Sequence, residues 1–226
     1  MTIVRRALPP LVALIACAVT YAQAAPQPAM PPTTIESTGK ATLDMTPDFA
    51  DFTFVHDFSA DTAEAALKLA SPLAASLEEE LKKRELAYRD CTAIGPVLLS
   101  QDPPAAQSSV VVRFALGTFQ TSATGQEEFG ALSDKLKQLG KDLGCAVSKP
   151  VFAVADVKSA ESTALGSAVE NAYAWGEGVA RVLAAVITSV ENVRVVEVKW
   201  GDTADLKRIS CTATVNVKYT AVAGQS

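Results

Sequence analysis

The sequence predicts an α+β protein, a largely antiparallel sheet or sheets packed by three helices in the order ββ-α-ββ-α-β-α-ββ. Three stretches carry that prediction. In Phe49–Phe58 the residues Ala50, Phe52, Phe54, His56 and Phe58 fall on one face, with Asp51, Thr53 and Asp57 on the other. A period of two is the mark of a strand with one buried face. Asp61–Leu86 has helical spacing, with Ala66, Leu69, Ala70, Leu73, Leu77 and Leu81 as its apolar stripe. Near the end, Ile209, Cys211, Ala213, Val215, Val217 and Tyr219 alternate with Ser210, Thr212, Thr214, Asn216 and Lys218.

Taken in order, Thr33–Met45 is the first strand and Thr46-Pro47-Asp48 the turn into the second, with Pro setting φ there. Asp61-Thr62-Ala63-Glu64 supplies an acidic N-cap for the first helix, and Pro72 should kink or split it. Glu78/Lys82, Glu79/Lys83 and Glu80/Arg84 sit four apart with the acid first, which describes a solvated helix face. A third strand is expected within Tyr88–Leu99, interrupted near Gly95-Pro96, and a fourth over Val110–Thr121. The second helix spans about Gln126–Leu143 with Gly144 as its C-cap. A fifth strand covers Val147–Val157. The third helix runs about Ala160–Ile187, with Leu165, Ala168, Ala172, Val179, Leu183 and Val186 as its core stripe. Val193–Trp200 and Lys207–Thr220 complete the strands. The run from the second to the fifth strand has the order of a ferredoxin-like split βαβ unit.

Organisation follows from composition. Arg5-Arg6, the apolar run Leu8–Val19 and Ala22-Gln23-Ala24 have the three parts of a secretory signal peptide, predicting cleavage after Ala24. A rival lies inside it: Leu14-Ile15-Ala16-Cys17 has the form of a lipobox, which would make Cys17 a lipid anchor and the protein an outer-membrane lipoprotein. Residues 25–32 are a Pro-, Ala- and Gln-rich leader, 33–220 a single domain and 221–226 a tail. The expected location is periplasmic or exported. The formal charge of −5 becomes −7 on losing two arginines and no acids, and no basic stripe interleaves with aromatics. Nucleic acid is therefore not an expected partner. After such cleavage Cys91, Cys145 and Cys211 remain, an odd number that permits one disulfide and one spare thiol without indicating which.

The search for chemistry finds little. The single histidine, His56, lies on the phenylalanine face without an evident partner, and reads as a core or rim residue. No G-x-S-x-G, H-E-x-x-H, Walker A or G-x-G-x-x-G motif occurs, so no catalytic, cofactor-binding or metal residue is assigned and no cofactor is expected. Small residues in the third helix suggest a different use. Gly176, Gly178, Ala180 and Ala184 leave room for a second surface, and Trp175 could anchor the contact. Trp175 packing within the chain, and a helix fitted tightly to its own sheet, are the competing readings.

Ile35-x-x-x-Gly39, Thr46-Pro47-Asp48-Phe49-Ala50 and Thr62-Ala63-Glu64-Ala65-Ala66 resemble the opening of the SIMPL domain. Phe129-Gly130-Ala131-Leu132, Phe152-Ala153-Val154-Ala155-Asp156 and Ala168-Val169-Glu170-Asn171-Ala172 are similar to its later motifs, in the same order. The chain departs from the family at Gln101–Ser109, and at Gly176 and Gly178. The resemblance implies an exported bacterial protein, some members forming ring-like homo-oligomers, with reported links to oxidative-stress tolerance and no catalytic residues to carry over. A non-enzymatic, homo-oligomeric assembly or binding protein is the first expectation. A monomeric ligand- or partner-binding module and an enzyme with a non-linear site are the alternatives.

Overall fold

The computed structural model describes residues 31–201 and 205–224. The expected signal peptide, the lipobox cysteine and most of the leader therefore lie outside the described residues. The first two strands, β1 (Thr33–Met45) and β2 (Phe49–Ser59), follow the alternation closely. The expected first helix is two helices, α1 (Ala63–Ala70) and α2 (Leu73–Lys83), broken at Ser71-Pro72. Pro72 has no N–H to donate, so the ladder stops at the turn before it. Thr62 rather than Asp61 caps α1, its hydroxyl accepting the Ala65 N–H at 3.2 Å. All three acid-first pairs are in place on α2, with N···O distances of 3.4, 3.0 and 3.6 Å.

β3 (Asp90–Gln101) turns tightly into β4 (Pro104–Ala115), with a register shift at Ile94/Val97. The fourth strand thus starts earlier than the alternation suggested. Its expected tail is instead a helical turn, α3 (Gly117–Thr121), leading into α4 (Gly125–Asp142). Gly144 closes α4 with φ +70°, while the N–H groups of Gly144 and Cys145 reach Lys141 and Gly140 at 3.2 and 2.7 Å. That pair of bonds is a Schellman motif. The expected fifth strand is two short pieces, β5 (Ala146–Val147) and β6 (Val151–Ala153), both pairing with β2 on either side of Pro150. α5 (Val157–Val182) ends before the expected Ile187, through Ala184 at φ +51°. β7 (Ala185–Trp200) therefore begins well before Val193, and β8 (Ile209–Ala223) runs three residues into the expected tail.

Every strand pairing is antiparallel. One sheet has the order β1-β8-β7, the other β3-β4-β2-β5 with β6 also on β2. In the second sheet, β4 and β5 flank β2 and β3 lies outside β4, the arrangement expected of a split βαβ unit. There are more helices than the three expected, because of the break at Pro72 and the added turn α3. The second sheet is packed by large side chains, among them Phe52, Phe54, Phe114, Leu77, Leu81, Leu136 and Leu139. Beneath α5 lies a different core of Ala164, Ala168, Ala172, Ala180, Ala213, Val215, Val217 and Tyr219.

α5 corrects the expected stripe. Its buried residues are Ala160, Ala164, Ala168, Ala172, Gly176 and Ala180, every fourth position, while Val179 and Leu183, and Val186 beyond them in β7, are exposed. The small side chains face the sheet because the backbones meet there. The Ser37 hydroxyl donates to the Ala172 carbonyl at 2.6 Å, and the Asn171 amide to the Lys40 carbonyl at 2.9 Å. A Cβ on Gly39 would overlap the Ala168 carbonyl oxygen and stand 2.8 Å from the Ala172 Cβ.

Candidate functional site

Two places bring chemically distinctive groups together. The first is where β2 meets the end of α4. The Cys145 Sγ lies 3.9 Å from His56 Nδ1, and the His56 ring stacks on Phe58 with centroids 4.0 Å apart. Gly144 makes this approach feasible, since a Cβ there would stand 3.0 Å from the His56 ring. A thiol beside an imidazole invites a nucleophile reading, but its surroundings oppose ionisation. Burial pushes the Cys145 thiol up, and it follows a helix C-terminus, where exposed carbonyls disfavour an anion. The thiol donates instead to the Leu143 carbonyl at 3.7 Å. Cys91 is pushed up to about 11, mostly by burial and then by Glu78 and Asp90. Cys211 is buried and pushed up in the same way. All three thiols are free, so the disulfide that the odd count permitted is not formed. Among the described residues no cluster of three or more His, Cys, Asp or Glu could hold a metal ion. His56 and Cys145 are far apart in sequence, which is why their meeting was not readable there.

The second place is the flank of α5 over β7. Strand register sets Val190 opposite Tyr219, Val193 opposite Val217 and Val195 opposite Val215, so these valines share the face that α5 covers on β8. α5 packs mainly on β1 and β8. The valines are left 53 %, 46 % and 51 % exposed. Tyr173 stands edge-on to Tyr219, ring centroids 6.0 Å apart. A hydrogen bond to Glu177, with that carboxylate's charge, raises the Tyr173 phenol above its ordinary value.

The five residues singled out as an interface divide here. Gly176 and Ala180 face the chain's own sheet; a Cβ on Gly176 would come within 2.9 Å of the Tyr219 ring. Gly178 has open space around its Cβ direction, Ala184 is exposed, and Trp175 is 69 % exposed. Trp175, Val179 and Val182 follow helical spacing along one flank, all exposed. β7 adds what sequence reasoning missed: it is 16 residues long and ends its sheet, with no strand on its other side among the described residues. Sequence reasoning finds only its second half, Val193–Trp200, because Ala185–Ile187 read as the end of the helix and residues 188–192 as neither helix nor strand.

The model of the SIMPL family, described as a protein of unknown function (DUF541), matches residues 35–219. The chain belongs to the SIMPL family. Its match spans both sheets and all the helices, so the family is the whole fold and not a grafted segment. No curated protein matches the chain. Among solved structures, it is similar to the regulatory subunit of aspartate kinase from Thermus flavus at 17 % identity, covering 79 % of this chain and 89 % of that one, with a TM-score of 0.23. No helix among the described residues is long and apolar enough to cross a membrane.

Proposed function

We propose that this SIMPL protein is exported and non-enzymatic, and acts in the cell envelope as a homo-oligomeric assembly or binding protein, with a role in stress tolerance as the physiological setting. The observation that carries the reading is β7. Among the described residues its outer edge is about 50 Å of unpaired backbone, and Val186, Val190, Val193, Val195 and Val196 are exposed along it. A long apolar edge strand invites pairing with another chain unless it is covered. Three register shifts, at Ile187/Ser189, Val190/Asn192 and Val195/Glu197, interrupt its ladder with β8. Bulges twist an edge and restrict what can pair with it, which favours one complementary surface over open-ended stacking. The exposed Trp175–Val179–Val182 flank supplies a second apolar surface. Contact between two different patches is head-to-tail and closes into rings when the rotation permits.

Multi-angle light scattering on the untagged protein across a hundredfold dilution tests this. The expected result is a species larger than the monomer that dissociates on dilution. Trp175→Ala and Val195→Lys should each weaken it without changing the far-UV spectrum. A monomer at every concentration would overturn the reading.

A further inference from the structure

α5 covers β7 less than β1 and β8, and a cleft of about 290 Å³ runs along that side of the helix. Val169, Val190, Val193 and Val217 make its walls apolar, with Tyr173 and Tyr219 completing them. Glu170, exposed, stands at its rim. Pockets for small molecules have this character, an apolar body with a few polar groups that fix orientation.

Tyr219 is the unusual member. It is 1 % exposed, and its hydroxyl is the one buried side-chain polar atom without a hydrogen-bond partner among the described residues. A buried hydroxyl left unpaired is destabilising, and phenylalanine would fill the same space without that cost. The nearby Tyr173 ring meets Tyr219 edge-on and supplies no partner to its hydroxyl. The position of the Tyr219 ring also depends on Gly176, where any side chain would press on it from within the helix. Glycine is itself unfavourable in a helix interior. Two local costs therefore converge on one ring at the base of an apolar cleft.

We propose that this cleft binds a small, uncharged, mostly apolar molecule carrying a hydrogen-bond acceptor oxygen, such as a ketone or an ether, to which the Tyr219 hydroxyl donates a hydrogen bond. The valines take the apolar body. Glu170 is the one charged residue lining the cleft, and its carboxylate selects against anions. Tyr173, on the exposed side, swings away from Tyr219 to admit the oxygen. All the walls of the site come from one chain, and Val190 and Val193 are shared with the β7 edge proposed for assembly.

Methyl NMR on the full chain tests it, with 2-acetylnaphthalene as the probe. 2-Isopropenylnaphthalene, of the same shape without the oxygen, and 2-naphthoate are the comparison ligands. The ketone should give saturable shifts at the Val169, Val190, Val193 and Val217 methyls. It should bind about tenfold tighter than the hydrocarbon, the scale of one added hydrogen bond, with the carboxylate weakest. Tyr219→Phe should fold with an equal or higher Tm and abolish the ketone preference, leaving hydrocarbon binding unchanged. No saturable shift at these methyls would overturn the proposal, as would a ketone preference that survives Tyr219→Phe. Methyl signals that move on protein dilution, and not with the ketone, would assign the cleft to a subunit contact and overturn it too.

Discussion

The two sheets of this protein are packed by opposite means. Around β2 and β4 the helices stand off, and Phe52, Phe54, Phe114, Leu77 and Leu136 fill the gap. Under α5 the gap is nearly absent, and alanines meet a strand that carries Gly39 at the point of closest approach. A core of large side chains draws its stability from apolar area removed from water. A core of alanines removes less area per residue and relies on close backbone approach, dispersion contacts and hydrogen bonds such as Ser37 to Ala172. The first should be damaged by making residues smaller, the second by making them larger.

The largest expected effect is in the aromatic core. Phe54 is fully buried, so Phe54→Ala should destabilise by about 3–5 kcal/mol in urea denaturation. Leu77→Ala, at a fully buried position of α2, should cost about 2–5 kcal/mol. A loss under about half a kcal/mol at Leu77 would mean that α2 does not pack as described.

Gly39→Ala turns the test around. Adding one methyl group should cost about 1–3 kcal/mol, because the obstacle is the α5 backbone and not a movable side chain. A neutral Gly39→Ala would break the contrast between the cores.

The smallest pair sharpens it within one helix. Gly178→Ala meets open space and should raise stability by up to about 1 kcal/mol from helix propensity. Gly176→Ala carries the same propensity gain but presses on the Tyr219 ring, so its thermal shift should be negative. Equal shifts for the two variants would show that α5 does not sit on Tyr219.

Much of the aromatic half could be read from the chain. Alternation located β2, helical spacing located α2 and α4, and Pro72 marked the break between α1 and α2. Those signals work because a strand or helix with one buried face must repeat its apolar residues at its own period. The α5 half was read less well for the same reason. Its longer apolar residues, Val179 and Leu183, suggested the inward face, but the tight fit to β1 admits only alanine and glycine, so the larger side chains point outward. Of the expected interface, Trp175 could be seen as an available anchor, whereas Gly176 and Ala180 could be assigned to the chain's own sheet only once α5 was placed on it.

By itself the sequence determined most of the strands and the long helices, the largely antiparallel α+β class, the family and the lack of a linear catalytic motif. These depend on local periodicity, turn chemistry and motif order, all carried by neighbouring residues. The tertiary structure alone decided that Cys145 meets His56 with burial pushing its thiol up and, among the described residues, that β7 ends its sheet and the Tyr219 hydroxyl lies unpaired beside Tyr173. Each of these depends on strand order and on the distance between backbones remote in sequence. No local pattern encodes that distance, because it is set by which side chains on two separate elements leave room for each other.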